Sequence, residues 1–177
     1  MTLDPLREAL PPYARDLGQN LSSLIAETVL SEQQKWGCFV AAAHAVGVPA
    51  ALKPIEASAA EAGLSEVAKT AAKTAAGRMA MNNIYFRALH LMRNAEYRAL
   101  PAKLRVDVLA NPGVDKADFE LWALTVSAIN GCGACLDSHE AELKKHGVSA
   151  LAVQAALRIA AVVHAVSRVL AGEAAAA

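Results

Sequence analysis

Three observations in the sequence predict an all-α protein. Alanine supplies 41 of the 177 residues, and alanine is the best helix former and a poor strand former. Ser31, Ser65, Asp115 and Ser149 each stand just before an apolar run, and Gly or Pro closes most of these runs. No stretch alternates apolar and polar residues between turn signals, as a half-buried strand would. The length suits one domain spanning 1–177, and no Gly/Ser-rich or Pro-rich linker divides it.

The elements follow in order. Leu6, Leu10, Tyr13 and Leu17 trace an opening helical face, which the Pro11–Pro12 pair interrupts. Ser31 and Gln34 form an S-x-x-Q capping box for a helix from Glu32 to about Val46, stopped by Gly47 and Pro49. A further helix fits Ala50 to Glu61, before Gly63. Ser65 caps the next, which runs through alanine-rich sequence towards Met81, with a break expected at Asn82 and Asn83. Pro101 and Pro112–Gly113 mark later boundaries. Asp115, with Asp118, caps a strongly apolar helix from Lys116 to about Ile129, and Asn130–Gly131 signals a turn. A short helix from Gly133 to His146 follows. Its last turn carries Lys144, Lys145 and His146, which suit the negative end of the helix dipole, and Gly147 suits a left-handed cap. Ser149 caps a final helix to about Leu170, with a frayed tail expected at Ala174–Ala177.

Charge and cysteine usage exclude several function classes. Seventeen basic and seventeen acidic residues leave a formal net charge of +0, which argues against nucleic-acid binding and against a polybasic membrane-surface protein. No run reaches the ~18 uninterrupted apolar residues of a membrane span; the nearest, Ala150 to Ala171, is broken by Gln154, Arg158, His164 and Arg168. The opening segment has no basic stretch followed by an apolar core, so it does not read as a signal peptide. Three cysteines are too few for a secreted disulfide framework. The expected location is the cytoplasm, where an adjacent cysteine pair is catalytic or metal-binding more often than structural.

Chemistry concentrates at residues 120–139. Cys132-Gly133-Ala134-Cys135 is a C-x-x-C at the point where a turn becomes a helix. Side chains three apart on a helix are neighbours, so the two sulfurs can form and release a disulfide. The positive end of the helix lowers a thiol pKa, and Gly133 and Ala134 are expected to leave the pair accessible. His139 lies four residues after Cys135, on the same helical face, where it can take a thiol proton. Glu120 is the only charged residue from Phe119 to Ile129. Burial there would raise its pKa towards that of a useful base.

The spacing links these groups. In an antiparallel hairpin about Asn130, Glu120 lies ten residues before the turn and His139 nine after it. At ~1.5 Å per residue the two sit at nearly the same level. The result is a chain in which Glu120 orients His139, His139 activates Cys135, and Cys132 resolves it. The dipole alone would favour Cys132 as the more acidic thiol; the specific base at i+4 favours Cys135.

The pattern E-x11-C-x-x-C-x3-H resembles that of AhpD-type alkyl hydroperoxidases of the carboxymuconolactone decarboxylase-like superfamily. The resemblance also takes in NLSSL at 20–24, WG at 36–37, MNN at 81–83, ANPG at 110–113 and FELW…VSAINGC at 119–132. It implies a helical bundle with its active site at a helix hairpin, assembled as a homotrimer. It implies a peroxidase that reduces alkyl hydroperoxides without a bound cofactor or metal. Dihydrolipoamide would be the reductant, through the dihydrolipoyl acyltransferase and lipoamide dehydrogenase system, and the peroxiredoxin AhpC the partner. By the same resemblance Cys135 becomes the sulfenic acid, while Cys132 is proton donor and disulfide partner. One position departs: the family's best-known form has a histidine immediately before the second cysteine, where this chain has Ala134.

Other readings of the same residues are a disulfide-exchange adaptor or redox sensor with little direct turnover, and a structural zinc module built on Cys132, Cys135, His139 and a carboxylate. The zinc reading lacks the usual second C-x-x-C or H-x3-H. Ring-opening lactone decarboxylation occurs within the superfamily but does not account for the C-x-x-C. Cys38, in the apolar segment KWGCFVAAA, reads as a buried structural thiol. His44, His90, His146 and His164 read as structural or solvated, and Trp36, Trp122, Tyr85 and Phe86 as core or subunit-interface residues.

Overall fold

Side-chain caps set where the main helices begin. The computed structural model describes residues 3–105 and 112–177. Its helices are α1 (Asp4–Ala9), α2 (Arg15–Ala26), α3 (Glu32–Val46), α4 (Pro49–Glu61), α5 (Glu66–Leu91), α6 (Glu96–Ala99), α7 (Lys116–Ile129), α8 (Gly133–Lys145) and α9 (Ala150–Ala176), with a 3-10 turn at Pro12–Ala14. No strand occurs among the described residues. The Ser31 hydroxyl accepts from the Gln34 N–H, and the Gln34 side chain accepts from the Ser31 N–H, completing the capping box. Ser65, Asp115 and Ser149 each accept one first-turn N–H of α5, α7 and α9.

α3 and α7 form the centre. From Lys35 to Ala43 every residue of α3 is buried, and the helix packs against α4, α5, α7 and α9. An all-round apolar helix of this kind has to be enclosed by others. Its one buried charge, Lys35, donates to the Ile25 and Glu27 carbonyls that end α2 and to the Glu32 carboxylate. A buried ammonium needs such a full set of acceptors. α7 crosses α3 at Gly37, where the Trp122 indole lies on bare backbone. A Cβ at residue 37 would come within 2.1 Å of Trp122 Cε2. Trp122 Nε1 donates to the Gln34 carbonyl at 3.1 Å, fixing the ring across α3.

The break expected at Asn82 and Asn83 does not occur: α5 runs unbroken to Leu91. Asparagine disrupts a helix when its amide competes for the helix's own backbone, and Asn83 has partners elsewhere. Its Nδ2 donates to Ser127 Oγ at 2.9 Å, and its Oδ1 accepts from Asn130 Nδ2 at 2.9 Å. Tyr13 also departs from expectation. It is exposed, and its hydroxyl donates to Glu173 at 2.7 Å. That bond sits near the C-terminus, where α9 continues to Ala176 in place of the expected frayed tail. The short helix α6 has no cap or periodic signal in the sequence. Of the ANPG segment, residues 110–111 lie outside the described residues.

α9 is, among the described residues, the one helix long and apolar enough to cross a membrane by length and composition. It packs against α2, α3, α4 and α7, burying a stripe from Ala152 to Leu170.

Two glycines in helices should respond oppositely to the same change. Gly37→Ala forces a methyl group into the Trp122 ring and should cost about 3 kcal/mol, at the upper end of overpacking penalties. Gly77→Ala meets nothing within 4 Å and should add about 0.5–1 kcal/mol by raising helix propensity. Urea unfolding of the two variants beside the parent measures both.

Candidate active site

The turn between α7 and α8 is held from below before any reactive group is reached. Asn130 ends α7, and Gly131 takes a left-handed conformation (φ 66°) that a side chain would resist. The Arg87 guanidinium donates to the Asn130 carbonyl, and the Asn130 amide donates to Asn83. Thus α5 grips the turn at two points. The Cys132 N–H donates to the Ser127 carbonyl, and the Cys132 carbonyl accepts from Cys135 and Leu136, so Cys132 is the residue from which α8 starts.

Cys132 and Cys135 are joined by a disulfide, with Cα atoms 5.3 Å apart. The accessibility expected from Gly133 and Ala134 is not observed. Cys132 is fully buried and Cys135 only 7 % exposed, because the start of α8 is tucked against α5 and α7. Cys135, and not Cys132, lines a cleft of about 620 Å³ between α5, α7 and α8.

Glu120 and His139 meet across the hairpin as the spacing predicts. Glu120 Oε2 lies 2.6 Å from His139 Nδ1, with both side chains mostly buried. This contact engages Nδ1, while His139 Nε2 stands 3.3 Å from the sulfur of Met79 on α5. Both residues line the cleft beside Cys135. An imidazole fixed at Nδ1 by a carboxylate is suited to exchange protons through Nε2.

The cleft has a charged rim. Lys116 and Lys145 both pair with Glu142. Lys116 first, then Lys145, hold the Glu142 carboxyl down at about 2. The opposite wall is a stripe of α5: Met79, Asn82, Phe86 and His90, at helical spacing.

Apart from Phe86 and His90, the other cysteine, histidine and aromatic residues singled out in the sequence fall outside the cleft. Cys38 is wholly buried with the Thr125 hydroxyl 3.4 Å from its sulfur, and burial pushes its thiol up to about 12. His44 pairs with Glu56, His146 with Glu142, and His164 is exposed. Trp36 and Trp122 are core residues, whereas Tyr85 is half-buried and Phe86 exposed. Among the described residues no group of three or more His, Cys, Asp or Glu side chains is placed to hold a metal ion.

Sequence reasoning missed Met79, Asn82 and Arg87. A signal was present in the 3-and-4 spacing of Met79, Asn82, Phe86 and His90, which becomes one face only once the helix is known to continue through the two asparagines.

Comparison with known proteins agrees with this architecture. The model of the Carboxymuconolactone decarboxylase family matches residues 95–177. The chain is 62 % identical over 173 residues to the alkyl hydroperoxide reductase AhpD of Maricaulis maris, covering 98 % of this chain and 99 % of that one. It is 58 % identical over 175 residues to the protein of the same name from Hyphomonas neptunium, covering 99 % and 97 %. With that from Caulobacter vibrioides it shares 55 % identity over 175 residues, covering 99 % and 96 %.

The three thiols should be chemically unequal. In the native disulfide form, a thiol reagent such as Ellman's at pH 8 should find no reactive thiol, because Cys38 is buried and its thiolate suppressed. Denaturant should then release one thiol per chain. Labelling of Cys38 in the folded protein at that pH would contradict this burial.

Proposed function

The chain belongs to the AhpD family of alkyl hydroperoxide reductases, and from that membership we propose a dithiol peroxidase acting through Cys132 and Cys135. The observation that carries the proposal is the Glu120–His139 pair beside Cys135 in one cleft. In the reduced protein His139 takes the Cys135 proton while Glu120 stabilises the resulting imidazolium. The Cys135 thiolate attacks the hydroxyl-bearing oxygen of an alkyl hydroperoxide. The O–O bond breaks, the sulfur becomes sulfenic acid, and the alkoxide takes a proton from Cys132 and leaves as alcohol. Cys132 then attacks the sulfenic sulfur, releasing water and forming the disulfide.

Burial narrows the choice of reductant. The disulfide opens only a sliver of Cys135 to the cleft, so a slender dithiol reaches it more readily than a folded domain. A dihydrolipoyl group, from an acyltransferase kept reduced by lipoamide dehydrogenase, meets that requirement. Dithiol–disulfide exchange returns the pair to its reduced form. The peroxiredoxin AhpC is the proposed protein partner, and the same burial requires that it take electrons from the pair through a cysteine on an extended segment that can enter the cleft. Such a dithiol couple belongs in the reducing cytoplasm. Proton transfer in this scheme does not use position 134, where Ala134 stands.

Self-association as a homotrimer is part of the proposal. Ile84, Leu91, Tyr97 and Leu100 are exposed along the end of α5 and through α6. A row of large exposed apolar side chains is a feature of subunit interfaces.

Two experiments test these statements. Cys135→Ser and Cys132→Ser should each abolish catalytic consumption of an alkyl hydroperoxide with dihydrolipoamide. Glu120→Gln should retain activity but lose about 10²- to 10⁴-fold in rate, the range expected when the carboxylate partner of a catalytic histidine loses its charge. Turnover seen only when AhpC is added would favour the adaptor reading. Separately, Ile84→Glu with Leu91→Glu should convert an assembly of three 18.5 kDa chains into monomers by light scattering.

A further inference from the structure

Two adjacent asparagines on α5 have opposite circumstances. Asn83 is fully buried and bonded to Ser127 and Asn130. Asn82 is 9 % exposed, and its Oδ1 is sealed from solvent with no hydrogen-bond partner. A buried acceptor without a donor is destabilising, and such exceptions in a well-packed protein call for a reason. The fold does not supply one, since Asn82 bridges no other element through that oxygen.

Its position supplies a reason. Asn82 lies three residues after Met79 and four before Phe86, and all three line the cleft with Cys135 and His139. The α5 wall therefore offers a thioether, a phenyl ring and one carboxamide, opposite the imidazole and the sulfur. That matches a molecule with an apolar tail and a single small polar head. Because Oδ1 has no partner, turning the carboxamide towards the cleft breaks no bond of that oxygen.

We propose that Asn82 binds the –OOH head of the substrate, accepting a hydrogen bond from the hydroperoxide O–H and holding the hydroxyl-bearing oxygen for attack by Cys135. The assignment rests on the peroxidase reading above. The substrate class is an apolar alkyl or aryl hydroperoxide, with its organic group on Met79 and Phe86. The chemical step keeps its balance. Cys135 sulfur bonds to the oxygen that carries the proton, the O–O bond breaks, and the alkoxide leaves to be protonated. The proton that Asn82 holds becomes the S–O–H proton, so the same acceptor serves the sulfenic acid until Cys132 displaces it.

The test separates the two half-reactions. Reduced protein is mixed with cumene hydroperoxide and the loss of thiols followed; in parallel, the disulfide form is mixed with dihydrolipoamide. Asn82→Leu should slow oxidation about tenfold, the size of one lost hydrogen bond at a reacting group, and leave reduction by dihydrolipoamide unchanged. Its unfolding midpoint should not fall, since no native bond of Oδ1 is lost. Asn82→Ser and Asn82→Ala form a second pair of similar size, and the hydroxyl of the serine variant should keep it faster than the alanine variant in oxidation. Oxidation of Asn82→Leu at the parent rate, equal slowing of both half-reactions, or equal rates for the serine and alanine variants would overturn the assignment. Failure of the parent protein itself to react with cumene hydroperoxide would overturn the peroxidase reading and the assignment with it.

Discussion

The rest of the structure depends on the contact between the Trp122 ring and the bare backbone at Gly37. A Cβ at residue 37 would overlap the ring, so only glycine leaves the room for it. The indole N–H bond to the Gln34 carbonyl prevents the ring from sliding along α3. Since α7 is a rigid rod, fixing Trp122 also fixes Glu120 half a turn before it and Ser127 and Asn130 beyond it. The carboxylate that meets His139 is therefore set in height and direction by a packing contact on the far side of its own helix.

Buried amides then transmit this placement to the reactive turn. Asn83 reaches Ser127 on α7 and Asn130 in the turn, and Arg87 takes the Asn130 carbonyl. Apolar contacts could hold α5 and α7 together with equal strength, but they would tolerate sliding by a fraction of a turn. Hydrogen bonds buried away from water tolerate less, because a misaligned pair leaves two unsatisfied groups. The polar residues at this junction thus specify register, while the alanine-rich surfaces of α5 and α9 permit close approach.

Local signals were legible and distant ones were not. The capping box at Ser31, the cap at Asp115 and the Asn130–Gly131 turn act within a few residues, and the helices they bound appear where the sequence places them. The Glu120–His139 pairing was legible because a hairpin converts residue spacing into height along two helices. The reading failed at Asn82 and Asn83 because the partners of Asn83 lie 44 and 47 residues further on. Met79 was invisible for the same reason, standing 60 residues from the imidazole it touches. The accessibility of the C-x-x-C was misjudged because small neighbours suggest openness, whereas the docking of α8 onto α5 and α7 decides burial.

The three cysteines show how far surroundings outweigh residue type. Cys38 faces a threonine hydroxyl in an apolar helix, and burial raises its thiol to about 12, so it behaves as a small hydrophobe. Cys132 starts α8 and has the best placement for the helix dipole, yet it is wholly enclosed and can be reached only through its partner sulfur. Cys135 has the weaker dipole position but faces the cleft that holds His139 and Glu120. Dipole and access thus fall on different sulfurs. In the proposed scheme this division is useful. The sulfur that meets the peroxide is the one beside the base, and the one that resolves it is kept from meeting a second peroxide molecule. Enclosure of Cys132 limits the bonds its sulfur can form to the one with the sulfur three residues away, and only its proton passes on, to the alkoxide released beside Cys135.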